Sequence, residues 1–193
     1  MYEDGGSYRA RSAFKLVELD DQFRFLNAKG VRTVVDLGAA PGGWSQVAVR
    51  RMGLTERYEA NEKVKDPSEA SSSTSDPSEA ELEERTPITS IPKRPRKRII
   101  AVDLLAIAPI PGVNIIKGDF LDPSTHTAIE DLLDTSTSPR VDVILSDMAP
   151  NISGNRSRDI GRSLELCTSV FEFTKTWLVT AEEAGHSRGG TLV

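Results

Sequence analysis

Residues 34–46 read VVDLGAAPGGWSQ, and this stretch decides the fold. A short β-branched run ends in the acid Asp36. A turn with three glycines and a proline follows, and a helix then begins near Gly43. Parallel-sheet proteins use such a turn to bring backbone N–H groups close to a nucleoside-containing ligand. The sequence therefore predicts an α/β protein with a ligand site directly after its first strand.

The rest of the chain alternates strands with helices. Five strands are expected, over 32–36, 98–103, 113–116, 141–147 and 189–193. Four helices are predicted, over 12–23, 43–52, 123–133 and 163–183. We expect Ser12 to cap the first helix and Pro123 to open the third. This alternation predicts an α/β fold with a Rossmann-like, doubly wound parallel sheet, in one domain over residues 1–193.

Two features interrupt this plan. From residue 54 to residue 97 the composition shifts to Ser, Glu, Pro, Asp and Thr. Such a segment buries too little apolar surface to offset its ordering entropy, so we predict a disordered insertion within a loop. The chain also ends inside the fifth predicted strand, where a doubly wound sheet normally continues. We therefore expect the domain to be C-terminally incomplete.

Composition excludes several classes of protein. No apolar run approaches the ~20 residues of a membrane span, so we expect no membrane partner. The single cysteine, Cys167, excludes an intramolecular disulfide framework, and with two histidines the sequence predicts no metal site. Cys167 lies midway along the last predicted helix and is expected to be buried. The first six residues form neither a signal peptide nor a transit peptide.

The net charge of −5 hides local basic clusters. Residues 56–84 carry a net charge of −7, so the remaining residues sum to +2. Arg9 and Arg11 lie at the start of the first predicted helix, and a dense basic run occupies residues 93–98. Surface potential near a site matters more for partner choice than the charge of the whole chain. We interpret the run at 93–98 as a solvated charge block, with an RNA-contacting arm as the alternative.

The glycine turn at residues 38–43 departs from the dinucleotide fingerprint G-x-G-x-x-G. Ala40 stands where the second glycine would let a pyrophosphate approach the backbone, which argues against a dehydrogenase. S-adenosylmethionine, a nucleoside ligand without a pyrophosphate, suits this turn. Asp103 ends the second predicted strand and is placed to accept both ribose hydroxyls, and Asp119 could accept from the adenine amino group. The alternative for each acid is a carboxylate that only caps a turn or a helix.

Five motifs occur in order along the chain: SYRARSAFKL at 7–16, VDLGAAPGGWSQ at 35–46, AVDLL at 101–105, GDF at 118–120 and SDMAPN at 146–151. Together they resemble the FtsJ-like family of RNA ribose 2′-O-methyltransferases. The last motif is the most specific, and it looks closest to the branch that methylates large-subunit rRNA in bacteria and mitochondria. The resemblance covers the chain except for the insertion. It implies the S-adenosylmethionine-dependent methyltransferase type of parallel sheet.

The resemblance also implies a Lys-Asp-Lys-Glu catalytic set. Lys15 matches its first lysine and Asp147 its aspartate. The second lysine and the glutamate would lie beyond Val193, so we expect the 193 residues alone to be inactive. The predicted residues for the cofactor S-adenosylmethionine are Gly38, Gly42, Trp44, Asp103, Asp119 and Asp147. For Trp44, a place in the core beneath the glycine turn is an equal alternative.

The implied reaction is methyl transfer to a ribose 2′-hydroxyl of rRNA, with a uridine of the large-subunit RNA as the expected target. Arg9 and Arg11, beside Lys15, are expected to bind RNA phosphates. The alternatives are a tRNA 2′-O-methyltransferase and a catalytically incomplete fragment that binds RNA or cofactor. The resemblance places the protein in the mitochondrion, with the cytoplasm or the nucleus as the alternative, and we expect a monomer.

Overall fold

A computed structural model describes residues 7–54, 97–133, 140–150, 152–185 and 188–193. The predicted insertion spans residues 54–97. Only its two end positions belong to the described residues, and the prediction for 55–96 lies outside them. Within the described residues, the helices are α1 Ser12–Phe23, α2 Gly43–Arg51, α3 Pro123–Leu132, α4 Arg156–Trp177 and α5 Ala181–Ala184. The strands are β1 Thr33–Leu37, β2 Arg98–Asp103, β3 Val113–Lys117, β4 Val143–Ser146 and β5 Thr191–Leu192.

All five described strands are parallel and lie in the order β3-β2-β1-β4-β5. The chain builds one half of the sheet outward from β1 and then crosses to the other side of β1 for β4. In open parallel sheets, ligands bind in the crevice at the carboxyl ends of the strands where the strand order reverses. The predicted α/β doubly wound sheet is confirmed, and its crevice lies between β1 and β4.

The sheet separates two apolar layers. Val34 of β1 belongs to a buried cluster that includes Leu16 of α1, and the next residue, Val35, belongs to a second cluster with Ile129 of α3 and Trp177 of α4. Successive residues of a strand point to opposite faces, so one short β-branched run contributes to both layers. Helices therefore cover both faces of the sheet, as parallel sheets require.

Asp142 joins the start of β4 to the start of β1. Its Oδ2 atom accepts from the backbone N–H groups of Arg32 and Thr33, both at 2.8 Å. Its own N–H donates to the Thr33 carbonyl at 3.0 Å. These three hydrogen bonds fix the register in which Val34 pairs with Val143. The carboxyl ends of β1 and β4 consequently meet at a defined height.

The last long helix differs most from its prediction. α4 begins at Arg156, seven residues early, because Asn155 caps it by accepting from the N–H of Arg158 at 3.2 Å. It ends at Trp177, because Leu178 takes extended backbone angles and forms a parallel bridge with a residue ahead of β4. The sequence pattern showed the apolar middle of the helix and missed both of its ends.

The expectation that Cys167 is buried is wrong, because this residue is exposed. The buried residues of α4 are Val170, Phe173, Thr174 and Trp177, all in the C-terminal half of the helix. Around Cys167 the helix contributes only the partly buried Leu166 to the core cluster on the sheet, and its fully buried positions begin at Val170.

The predicted caps were right at one helix and wrong at another. Pro123 opens α3 as expected, behind Asp122 at the N-cap. Ser12 does not cap α1, whose N-cap is Arg11 without a side-chain hydrogen bond. The carbonyl of Ser12 instead accepts from the indole N–H of Trp44 at 2.9 Å. At the start of α1, the N–H groups of Ala13 and Phe14 donate to the backbone carbonyls of Ala10 and Arg11, at 3.2 and 3.1 Å, in place of a side-chain cap.

The Asp142 clamp predicts a measurable contribution to stability. We expect Asp142→Ala to lower the free energy of unfolding by about 1–3 kcal/mol, because two backbone N–H groups lose their acceptor. Asp142→Asn is the matched control: it keeps an acceptor oxygen and should cost clearly less. Urea denaturation of the three proteins measures both changes. Equal losses in the two variants would show that only the charge of Asp142 matters.

Candidate functional site

A cleft of about 820 Å³ opens at the carboxyl ends of the strands. Its lining comes from Gly38 after β1, residues 102–105 at the end of β2, residues 118–121 after β3 and residues 147–150 after β4, with four residues of α4. This is the crevice that the strand order predicts. The helix α4 completes the lining with Arg162, Glu165, Leu166 and Ser169.

The cleft brings together four of the six predicted cofactor residues. Gly38, Asp103, Asp119 and Asp147 all line it, although they follow four different strands. The other two, Gly42 and Trp44, are not among its lining residues. Trp44 is 4% exposed and sits in the apolar cluster between α1, α2 and the sheet. For this residue, the structure shows the core position that the sequence left open as an alternative.

Two of the acids that line the cleft also accept hydrogen bonds from backbone N–H groups. Asp103 accepts from the N–H of Ala40 in the glycine turn at 2.8 Å and from that of Leu105 at 2.7 Å, one on each carboxylate oxygen. Asp119 accepts from the N–H of Leu121 at 3.0 Å. An ionised carboxylate offers about four acceptor positions, so both groups keep capacity for a ligand. They can therefore shape the cleft and bind within it.

Gly38 allows the end of β1 to approach the loop after β4. Its φ is +71°, and a Cβ atom at this position would collide with the side chain of Met148. The N–H groups of Gly38 and Ala39 both donate to the Val102 carbonyl, at 2.9 and 3.1 Å. The turn therefore leaves the sheet tightly, and only a residue without a side chain fits between β1 and Met148.

Lys15 and Asp147 meet at the edge of the cleft. The Nζ atom of Lys15 lies 3.3 Å from Oδ1 of Asp147, although 132 positions separate them in the sequence. Their side chains are 63% and 32% exposed, respectively. The same ammonium lies 5.6 Å from the centroid of the Trp44 ring, within the range of a cation–π contact. The structure thus pairs the two residues that match the implied catalytic set.

The two predicted RNA-binding arginines have different surroundings. The guanidinium of Arg9 donates to the backbone carbonyls of Pro41, Ala108 and Pro109, at 3.4, 2.6 and 2.8 Å. Arg11 is exposed at the N-cap of α1. Both arginines are exposed, and the guanidinium of Arg9 is in addition engaged with the fold through these three carbonyls.

The lining of the cleft combines carboxylates and apolar side chains with one guanidinium, that of Arg162. Asp103, Asp119 and Asp147 lie beside Leu104 and Phe120. Carboxylates accept from hydroxyl and amino groups and attract cations, whereas apolar side chains pack against a flat ring. Within the described ranges, no three His, Cys, Asp or Glu side chains are grouped to hold a metal ion, and no helix has the length and apolarity to cross a membrane.

The same regions of the chain match a known protein family. The model of the FtsJ-like methyltransferase family matches residues 8–184, which include Lys15, the glycine turn and Asp147. The chain belongs to the FtsJ-like methyltransferase family. This confirms the resemblance that the five motifs indicate.

FtsJ-like relatives include bacterial proteins named ribosomal RNA large subunit methyltransferase E. That of Thiobacillus denitrificans is 38% identical over 176 residues, which cover 91% of this chain and 58% of the relative. That of Nitrobacter winogradskyi is 37% identical over 167 residues, which cover 86% and 54%. A crystal structure described as a ribosomal RNA methyltransferase from Plasmodium falciparum has a TM-score of 0.61 and 25% identity, and covers 96% of this chain and 76% of that one. The FtsJ-like chain thus spans a little over half the length of the two bacterial relatives.

Asp36, in strand β1 just before the glycine turn, is a residue whose importance sequence reasoning missed. Its side chain is buried, and its Oδ2 atom accepts from the hydroxyl of Ser45 at 2.6 Å. Burial raises the pKa of Asp36 to about 7; hydrogen bonds from Ser45 oppose this rise, and the negative charges of Asp103 and Asp147 add to it. The available signal was an acid inside an apolar strand, one position before that strand ends.

Asp36 predicts a pH dependence of stability. The pKa of Asp36 is higher in the folded protein than its ordinary value of 3.8, so the folded state binds this proton more tightly than the unfolded state does. The resulting contribution to the free energy of unfolding is complete at acid pH and is lost as the pH rises towards 7. Asp36→Asn removes this titration. Between pH 5 and pH 7, we therefore expect the wild type to lose about 2 kcal/mol of unfolding free energy relative to Asp36→Asn. Urea denaturation at the two pH values measures this difference.

Asp159→Asn serves as a control of opposite sign. Hydrogen bonds from Ser153 lower the pKa of Asp159, so its stabilising effect is present at neutral pH and lost as the pH falls. The wild type should therefore lose stability relative to Asp159→Asn on acidification. Parallel pH curves for the wild type and Asp36→Asn would contradict the raised pKa of Asp36.

Proposed function

We propose that the protein containing this chain transfers a methyl group from S-adenosylmethionine to a ribose 2′-hydroxyl of large-subunit rRNA. The observation that carries this proposal is the approach of Lys15 to Asp147, at 3.3 Å, on the edge of a cleft lined by further carboxylates. Membership of a methyltransferase family supports the reaction type. The names of the bacterial relatives support large-subunit rRNA as the substrate.

The residues of the cleft fit S-adenosylmethionine. Asp103 keeps acceptor positions for the two ribose hydroxyls, and Asp119 for the adenine amino group. Leu104 and Phe120 supply apolar surface for the adenine ring. The carboxylate of Asp147 complements a positive charge. When bound, S-adenosylmethionine supplies a methyl group that its sulfonium charge makes electrophilic.

Lys15 and Asp147 would act on the substrate hydroxyl. A ribose 2′-hydroxyl is a weak nucleophile, and it needs a base or a field that stabilises its developing negative charge. Lys15 is 63% exposed, so its ammonium stands where RNA can approach and offers both a donor and a positive charge. Asp147 accepts from this ammonium and fixes its direction. The pair thus aligns the ribose oxygen beside the cleft.

Two finer features of this proposal rest on the resemblance of the SDMAPN motif at 146–151. We propose a uridine as the methylated nucleotide and the mitochondrion as the compartment. Mapping of the modified base tests the first feature. Imaging of the tagged full-length protein tests the second, and signal confined to the cytoplasm or nucleus would contradict it. The expected monomeric state stays a prediction that sedimentation of the full-length protein can check.

The ligand proposal predicts selective binding. We expect the full-length protein to bind S-adenosylhomocysteine more tightly than NAD in calorimetry, because the turn lacks the glycine that admits a pyrophosphate. Asp103→Asn should weaken binding about tenfold, since it removes the charge and one acceptor oxygen. Asp122→Asn, the same change at a helix cap outside the cleft, should have no effect. Tighter binding of NAD would overturn the proposal and favour a dehydrogenase.

The reaction proposal predicts which RNA loses its methyl group. Deleting the gene should remove a ribose methylation from large-subunit rRNA, and the wild-type gene should restore it. Lys15→Ala should fail to restore it, because the donor beside Asp147 is gone, whereas Lys29→Ala, at an exposed lysine away from the cleft, should succeed. Ribose-methylation mapping of rRNA and tRNA reads out both results. A change confined to tRNA would favour the tRNA methyltransferase instead.

A further inference from the structure

We propose, on the basis of the function proposed above, that Arg9 is a positioning residue of the methyl-transfer site and not a phosphate ligand. Its guanidinium locks the segment that leads into α1 against the glycine turn and the loop at residues 104–112. We call this set of contacts the Arg9 lock. The lock determines where Lys15 stands relative to the cleft.

The guanidinium reaches two distant parts of the chain. Its Nη1 donates to the carbonyls of Ala108 at 2.6 Å and Pro41 at 3.4 Å, and its Nη2 donates to the carbonyl of Pro109 at 2.8 Å. Pro41 belongs to the glycine turn, and the two other acceptors lie about one hundred positions from Arg9. A planar fork of fixed N–H directions suits two neighbouring carbonyls, and a lysine ammonium cannot reproduce it.

The backbone next to Arg9 is held by α2. The N–H of Arg9 donates to Oε1 of Gln46 at 2.8 Å, and the carbonyl of Ser12 accepts from the Trp44 indole at 2.9 Å. Both partners come from the GGWSQ part of the turn motif. The motif therefore serves as a docking surface for residues 8–12 as well as the entry to a ligand site.

Two glycines of the turn leave room for the lock. A Cβ atom at Gly42 would lie 2.7 Å from the Ile110 side chain and 3.3 Å from Nη1 of Arg9. A Cβ atom at Gly43 would lie 3.0 Å from the Cβ of Ala10. The space around Gly42 is thus filled by the lock, which explains why this glycine does not line the cleft.

The lock connects the two halves of the proposed reaction site. On one side, α1 starts three residues after Arg9 and carries Lys15 on its first turn. On the other side, the locked loop begins with Leu104 and Leu105, which line the cleft. Methyl transfer needs close alignment of its two reactants, so loosening this connection should impair the reaction.

Arg9→Lys separates positioning from phosphate binding, because it keeps the charge and removes the fork. In the full-length protein, we expect Arg9→Lys to bind S-adenosylhomocysteine about tenfold more weakly. Arg9→Ala removes the charge as well, and we expect it to leave the salt dependence of rRNA binding unchanged. Arg11→Ala is the matched control two positions away. It should leave S-adenosylhomocysteine binding unchanged. For rRNA binding, it should flatten the slope of log K against log salt by about 0.7–0.9, which corresponds to the loss of one phosphate contact. Two results together would overturn the proposal: normal affinity of Arg9→Lys for S-adenosylhomocysteine, and a flatter slope of log K for rRNA against log salt in Arg9→Ala.

A measurement without ligand tests the lock itself. Amide hydrogen exchange over residues 104–112 should be faster in Arg9→Lys than in the wild type and unchanged in Arg11→Ala. Gln46→Ala, which removes only the acceptor of the Arg9 N–H, should give the same pattern with a smaller amplitude. Unchanged exchange in Arg9→Lys would refute the lock. Failure of the wild type to bind S-adenosylhomocysteine would instead refute the proposed function and leave the exchange result standing.

Discussion

The parallel pairing of β1 with β4 is the constraint on which the rest of the structure depends. Leu37 pairs with Ser146, so the glycine turn and Asp147 leave the sheet side by side. The strand order reverses at this point, which opens the crevice that becomes the cleft. At the amino-terminal ends of both strands, the hydrogen bonds of Asp142 fix the same register. A shift of one residue would point the side chains of β4 to the wrong faces and remove Asp147 from Lys15.

The cleft concentrates negative charge at a cost to the folded state. Asp103 and Asp147 lie close enough to Asp36 to raise its pKa, in addition to the larger effect of burial. Backbone N–H groups of the glycine turn and of the β2 loop offset part of the repulsion by donating to Asp103. A positively charged ligand would relieve the remainder. Binding sites typically keep such destabilising groups of like charges, which the rest of a fold avoids.

The glycine turn serves two sides of the molecule. Gly38 admits Met148 and brings the loop after β4 onto the end of β1, next to the cleft. Gly42 and Gly43 face the other way, towards the segment that contains Arg9. Packing thus accounts for these glycines at least as fully as direct contact with a ligand does. The position of Lys15 is consequently tied to the same turn that shapes the cleft.

The sequence by itself determined the α/β class and the bounds of α1 and β2, because apolar periodicity is a local signal. The resemblance of its five motifs indicated the family and, through it, both members of the Lys15–Asp147 pair. Only the tertiary structure decided that they lie 3.3 Å apart, that Asp36 is buried, and that the exposed Arg9 donates to backbone carbonyls. The physical reason is distance along the chain. Partners for a long side chain come from segments up to 132 positions away, and the local sequence pattern carries no information about them.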